Sequence, residues 1–419
     1  MKSMINRTRL LQKIEELGQI GQDPAGGLTR TTFTPPELEA RNWLIQQLET
    51  INVDVHIDPA ANIWGRTEGT RKGAPSIVFG SHIDTVPNGG KYDGALGVLI
   101  ALEILTSLRE RGVKTMHPLE LISFSGEEPN PFRLSTFGSR ALTGKLKKEQ
   151  IQSVTDSSGN VLTERLEAAG GSYEQFNETQ RNPLDFAHYL EVHIEQGKRL
   201  LNQGIPVGVV RGITGIYRER ITVQGQANHA GTTMMGSDRQ DALTAASQLV
   251  LKLEQITTES PIAELVATVG ELHVYPNAAN IVPGEVSFTM EIRGETEEQI
   301  ASVRTQMETE FASVERQRDV VVTRDVILDQ PGVPMDEMVM KTMETVSTKL
   351  GHKTLILGSM AGHDAAHMAG VTSSGMLFVP SLEGKSHCPE EESRMDDIEI
   401  VANVLYETIL TLDSKGNDE

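Results

Sequence analysis

Cysteine is almost absent: Cys388 stands alone in 419 residues, which excludes an intrachain disulfide and fits a reducing compartment. Positive charge is also scarce. Against 58 Asp and Glu there are 38 Lys and Arg, leaving a formal net charge of −20. Nucleic acids and anionic membranes both require a basic patch to neutralise phosphate, so neither is expected as a partner. No apolar run approaches the roughly 20 residues needed to cross a bilayer. Near the N-terminus Leu10, Leu11, Ile14 and Leu17 recur at helical spacing with charged residues between them. That pattern predicts an amphipathic surface helix and not a signal sequence. Internal repeats and low-complexity tracts are lacking too, and the cytoplasm is the simplest expected location.

What is present is an ordinary globular composition, 38% hydrophobic and 23% charged, in a chain long enough for two domains. Apolar strand-like runs at Ser76–Ser81, Leu119–Ser125 and Tyr189–Ile194 alternate with a buried helix over Ala95–Leu108. Such alternation predicts an α/β sheet with helices on its faces. The segment from Lys145 to Asp185 is polar and rich in turn residues, and reads as a surface excursion of helix and loop. From Tyr217 the order changes to strand, helix (238–255), two strands (265–274 and 286–293), helix (297–314) and strand (320–326). This is the split βαβ arrangement. α/β signals then resume, with helices expected over 336–350 and 396–412. The expected organisation is a discontinuous main domain, 1–214 and 329–419, with a smaller domain, 215–328, inserted in its middle.

The polar residues fall at informative places. His82, Glu127, Glu128 and His193 lie at or just past the C-terminal ends of strand-like runs, where open α/β sheets put their active sites. His82 and Asp84 are two apart, so the carboxylate can orient the imidazole through its second nitrogen. Asp93, after a glycine-rich turn, can bring another carboxylate to the same place. Of the adjacent pair Glu127 and Glu128, one can ligate a metal while the other takes a proton from metal-bound water. His193 begins His-Ile-Glu-Gln-Gly, and His387 sits in a loop before the last helix. Together His82, Asp93, Glu128, His193 and His387 offer imidazole and carboxylate to each of two divalent ions. Mixed N/O sets of this kind suit zinc, manganese, cobalt or nickel, and not calcium.

The segments GSHIDTVPNGGKYDGALGV, EE, HIEQG, HAGTT, NIVP and SHCPEE, in that order over nearly the whole chain, resemble the hydantoinase/carbamoylase branch of the M20 metallopeptidase-like amidohydrolases. The resemblance implies that His82, Asp93, Glu128, His193 and His387 are the metal ligands, with Asp93 bridging. It implies Glu127 as general base and Asp84 as the residue that orients His82. The implied fold is a mixed-sheet α/β catalytic domain carrying an inserted ferredoxin-like lid that also forms a homodimer. His229 would stabilise the oxyanion in the partner subunit's site, and Gln196, Asn280 and Arg293 would bind substrate. His363 is expected near the site without being a ligand. The remaining histidines are expected to be structural or surface residues.

The function this implies is hydrolysis of the ureido C–N bond of N-carbamoyl-L-amino acids. Allantoate or another ureido acid is the alternative substrate, and a dipeptide is a third. Two stretches depart from the common family pattern. Pro129-Asn130-Pro131-Phe132-Arg133 follows the paired glutamates, where many members have a glycine and then Arg-Phe. Met234-Met235 replaces the usual Pro-Met after HAGTT. Both border the expected site and bear on which substrate it accepts.

Overall fold

The computed structural model describes residues 3–262 and 264–415. In chain order the first part supplies β1 (Asp54–Ile57), β2 (Ile63–Thr67), β3 (Ser76–His82), β4 (Leu119–Phe124), β5 (Phe186–Ile194) and β6 (Val207–Ile213). The middle supplies β7 (Gly215–Gln224), β8 (Asn228–His229), β9 (Val266–Tyr275), β10 (Ile281–Val282), β11 (Glu285–Gly294) and β12 (Val321–Gln330). The last part supplies β13 (Val333–Pro334), β14 (Thr354–Ser359) and β15 (Ser373–Val379).

The large sheet runs β1-β2-β4-β3-β5-β15-β6-β13, with β14 also paired to β6. Its centre, β4-β3-β5-β15, is parallel, and its flanks turn antiparallel at β2 and β6. A mixed sheet of this kind has its central strands buried on both faces, which is why β3 and β4 read as continuous apolar runs. Helix Ala95–Glu110 is mostly apolar, with a polar stripe of Glu103, Ser107 and Glu110, and all but its last two residues are buried.

The N-terminal helix, Arg7–Leu17, seats Leu10, Ile14 and Leu17 in the same core, and Asn6 caps it by accepting from Arg9 N. Arg9 also pairs with the buried Glu103 at 2.7 Å. A partly exposed ion pair contributes about 1 kcal/mol or less. Each fully buried leucine or isoleucine contributes about 1.5–3 kcal/mol. Packing, not the ion pair, therefore holds this helix.

The segment read as a surface excursion has a core of its own. Ile151, Leu162, Leu166 and Phe176 are buried with Phe33 and Phe137. Phe132, in one of the divergent stretches, joins that cluster, and Asn130 folds the loop by accepting from Phe132 N and Leu134 N.

By compactness the chain divides into two units. Residues up to Arg211, Pro334–Leu357 and those from Gly362 onward form one, and Gly212–Val333 with Gly358–Ala361 forms the other. The second unit holds an antiparallel sheet, β12-β7-β11-β9, and helices Ala242–Thr258 and Glu297–Arg318. Numbered along the unit, that strand order is fourth, first, third, second, the ferredoxin-like arrangement. Alternation on β11 buries Val286, Phe288, Met290 and Ile292 with the helices and turns Glu291 and Arg293 to the other face. Asp241 and Thr296 cap the two helices by accepting backbone N–H groups in their first turns.

Candidate active site

Register brings the first two histidines together. Gly80 on β3 pairs with Glu191 on the parallel neighbour β5, so two residues further on His82 and His193 emerge side by side, with ring centroids 5.9 Å apart. In each, Nδ1 is held by a backbone carbonyl: Asp84 O at 3.1 Å for His82 and Ile194 O at 3.0 Å for His193. A carbonyl only accepts, so Nδ1 carries the proton and Nε2 presents its lone pair inward. Asp93 Oδ1 lies 3.7 Å from Nε2 of His82 and 3.0 Å from Nε2 of His193. Its other oxygen, Oδ2, lies 3.4 Å from Nε2 of His387, which is itself 3.3 Å from Glu128 Oε1. One carboxylate thus faces two donor groups, His82/His193 on one oxygen and Glu128/His387 on the other.

Within each group (His82, Asp93, His193 and Asp93, Glu128, His387) the donor atoms all lie within 4.8 Å of one another. Nε2 of His82 and Oε1 of Glu128 are buried and make no hydrogen bond among the described residues. Buried lone pairs facing a carboxylate need a cation between them, and imidazole with carboxylate is the donor chemistry of a divalent transition metal. The residues present therefore fit such an ion.

Gly94 makes the approach possible. Its φ is +61°, and a Cβ there would stand 2.2 Å from His82 Nε2. Glycine alone combines that backbone with that proximity.

Asp84 connects the pieces. Besides facing His82, its carboxylate accepts from Glu127 N at 3.2 Å, Glu128 N at 3.3 Å and Thr32 Oγ1 at 3.0 Å. Glu127 is buried, with Oε2 3.6 Å from His82 Nε2. Burial pushes its carboxyl well above the usual range, the neighbouring His82 imidazole opposes this, and Asp364, Glu128 and Asp84 add to it. Asp93 goes the other way: burial alone would raise it, but His193, His387 and His82 hold it well below the usual carboxylate range. His387, half exposed beside the carboxylates of Asp93 and Glu128, is pushed up to about 10.

Gln196 donates from Nε2 to Asp93 Oδ2 at 2.7 Å, so in this structure its amide holds the shared carboxylate. Glu195, which spacing alone would aim with His193, turns away. It accepts from Arg199 N and Leu200 N and caps helix Arg199–Gln203. His363 is buried with its ring edge-on to His193, centroids 4.5 Å apart.

Sequence reasoning missed Glu391 and Ser386. Glu391 Oε1 accepts from Tyr92 N and Asp93 N, and Ser386 Oγ lies 2.7 Å from Asp93 Oδ2. Burial pushes Glu391 up to about 7. Both residues stand in the quoted SHCPEE segment. The available signal was the middle one of three adjacent glutamates, 390–392, which spacing cannot distinguish from a solvated one.

The other three candidates lie in the second unit. β8 pairs with β10, setting His229 opposite Ile281, while Ala230 N donates to Asn280 O. His229 is exposed, and its Nδ1 accepts from Gly231 N at 3.1 Å. The neutral ring therefore carries its proton on Nε2, as a hydrogen-bond donor. Arg293 is half-buried, donating to Glu291 and to Met360 O. The divergent Met234 and Met235 are 69% and 80% exposed.

Among the described residues no helix is long and apolar enough to cross a membrane. The profile of Peptidase family M20/M25/M40 matches residues 78–411. An N-carbamoyl-L-amino acid amidohydrolase from Geobacillus stearothermophilus is 37% identical over 409 residues, covering 98% of this chain and 99% of that protein. The allantoate amidohydrolase of Bacillus subtilis (strain 168) is 34% identical over 399 residues, covering 95% and 96%. A solved amidase of the hydantoinase/carbamoylase family from Burkholderia multivorans superposes with a TM-score of 0.90 at 30% identity, covering 97% and 98%. The chain belongs to the M20/M25/M40 peptidase family, in its hydantoinase/carbamoylase branch, and is a hydrolase of linear amide C–N bonds.

Proposed function

We propose that this amidohydrolase cleaves the ureido C–N bond of N-carbamoyl-L-amino acids. In this reading two divalent ions, zinc, manganese, cobalt or nickel, are held by His82, Asp93, Glu128, His193 and His387. The observation that carries the reading is the Asp93 carboxylate, whose two oxygens face two separate imidazole groups. When bound, such ions polarise a carbonyl and make water more acidic.

The protein's own groups do the rest. Asp84 holds His82 in the tautomer that presents Nε2. Glu127 takes a proton from the attacking water and passes it to the departing nitrogen. The water oxygen bonds to the ureido carbon, the bond to the terminal nitrogen breaks, ammonia leaves, and the remaining carbamate loses carbon dioxide to give the amino acid. From the second unit His229 Nε2–H is the donor to the developing oxyanion, in the partner subunit's site, and Asn280 and Arg293 bind the substrate carboxylate. Arginine suits that task because its planar fork pairs bidentately with a carboxylate.

A second reading, allantoate as substrate, is supported by the 34% identity to an allantoate amidohydrolase, close to the 37% of the carbamoylase. The two share their chemistry and differ in the pocket. Ammonia release from N-carbamoyl-L-amino acids, β-ureidopropionate and allantoate, using protein stripped of metal and reloaded with manganese or zinc, separates them. Metal-dependent release that is fastest from N-carbamoyl amino acids is the expected result. Faster release from allantoate replaces the first reading by the second, and faster hydrolysis of simple dipeptides removes both.

A homodimer follows from the same reading. β9 is an edge strand of the four-stranded sheet and exposes Val266, Leu272 and Tyr275, while Leu251 is 65% exposed on helix Ala242–Thr258. An open edge bearing apolar side chains is a ready template for a second chain. Sedimentation velocity is expected to give twice the chain mass of 45.8 kDa. A monomer with full activity would remove the role of His229 in trans.

A further inference from the structure

Arg293 is not a free cation, and what holds it bears on the substrate. Glu291 and Arg293 are two apart on β11 and share the sheet face that the helices leave uncovered. Arg218 on β7 stands directly across from Glu291. One oxygen of Glu291 accepts from Arg293 Nε at 2.8 Å. The other accepts from Arg218 Nε at 2.9 Å and also from Arg218 Nη2. Arg293 Nη1 donates to Met360 O at 2.7 Å, while Nη2 makes no hydrogen bond among the described residues. Two edges of the guanidinium are therefore clamped and the third is open. The next arginine along β7, Arg220, stands across from Asp325 on β12 and lies outside this clamp.

We propose that Glu291 is a positioning and specificity residue: it fixes Arg293 for a single substrate carboxylate and cancels the charge of Arg218. The inference rests on the reading that Arg293 binds that carboxylate. Two guanidinium groups and one carboxylate leave a net charge of +1 at this end of the site, which one carboxylate neutralises. A second carboxylate on the substrate side chain would find Arg218 already taken by Glu291. The site thus favours ureido acids with uncharged side chains over ureido dicarboxylates. Side-chain entropy adds to the effect, because an arginine already held in place loses less freedom when it binds.

The test measures kcat and KM of the full-length, manganese-loaded protein on N-carbamoyl-L-alanine and N-carbamoyl-L-aspartate. Glu291→Gln removes the charge-assisted bonds and is expected to raise KM for the alanine derivative about tenfold, with a far smaller change in kcat. It also frees Arg218, so KM for the aspartate derivative is expected to fall relative to the alanine one. Glu291→Asp, which restores the charge, is expected to recover part of the original preference. Arg218→Gln leaves Glu291 to Arg293 alone and is expected to move the preference further from the aspartate derivative, which keeps the idea testable if Glu291→Gln does not fold. An unchanged ratio of the two KM values in Glu291→Gln and Arg218→Gln overturns the inference. Arg293→Lys in the same assay distinguishes the two levels. If it leaves KM unchanged, the carboxylate assignment itself fails; if it raises KM while Glu291→Gln does not, only the role of Glu291 falls.

Discussion

Glu127→Gln is expected to lower kcat for ureido hydrolysis by about 10³–10⁴, the upper part of the range for a positioned general base, while the protein keeps its metal. Each factor of ten corresponds to about 1.4 kcal/mol of barrier. Glutamine keeps the size and the buried position of Glu127 but has no oxygen basic enough to accept a proton. The size of the effect depends on where the carboxylate sits. It is buried, 3.6 Å from His82 Nε2, on a loop that Asp84 holds through two backbone N–H groups. Burial and the neighbouring carboxylates push its pKa well above the ordinary carboxylate range, while the His82 imidazole opposes them. A divalent cation beside it would pull the other way, so the working value is set by that balance. Ammonia release measured together with metal content by plasma mass spectrometry checks the prediction. Turnover close to wild type with metal still bound would remove Glu127 from the mechanism.

The second large effect is expected at Asp93. Asp93→Ala takes away the carboxylate that faces both donor groups, leaving His82 with His193 and Glu128 with His387 as separate pairs. On the proposed two-ion reading, metal content should fall from two ions per chain to less than one, and activity should fall below detection. Stability gives an independent readout. A ligand at 100 times its dissociation constant stabilises the folded state by about 2.7 kcal/mol. The wild type should therefore melt at a higher temperature with manganese than with chelator, and the variant should lose that difference. The alanine also ends the hydrogen bonds from Gln196 and Ser386, so part of the loss will appear without metal. What counts is the change in the metal-dependent increment. A variant that melts with the full metal increment and keeps two ions would show that Asp93 does not bridge.

Composition and hydrophobic periodicity determined much of this protein without any tertiary information. Apolar runs ending in His82, His193 and the Glu127–Glu128 pair placed those residues at strand ends, and the structure has β3 ending at His82 and β5 at Ile194. The helix after Asp93 was legible because Ala95–Leu102 is an unbroken apolar run, which suits a buried helix. The change of element order after Tyr217 was legible because alternating strands and amphipathic helices have different periods.

Other features were decided only by the tertiary structure. Residues two apart on a strand share a face, which would aim Glu195 with His193, yet the backbone leaves the strand after Ile194 and Glu195 caps the next helix instead. Thr32, Ser386 and Glu391 reach the site from segments far away in the chain. Periodicity reports which face of an element is apolar and says nothing about which polar groups from distant elements meet. Packing decides that, because a buried carboxylate such as Asp93 requires donors at hydrogen-bond distance, and only the fold determines which donors are within reach.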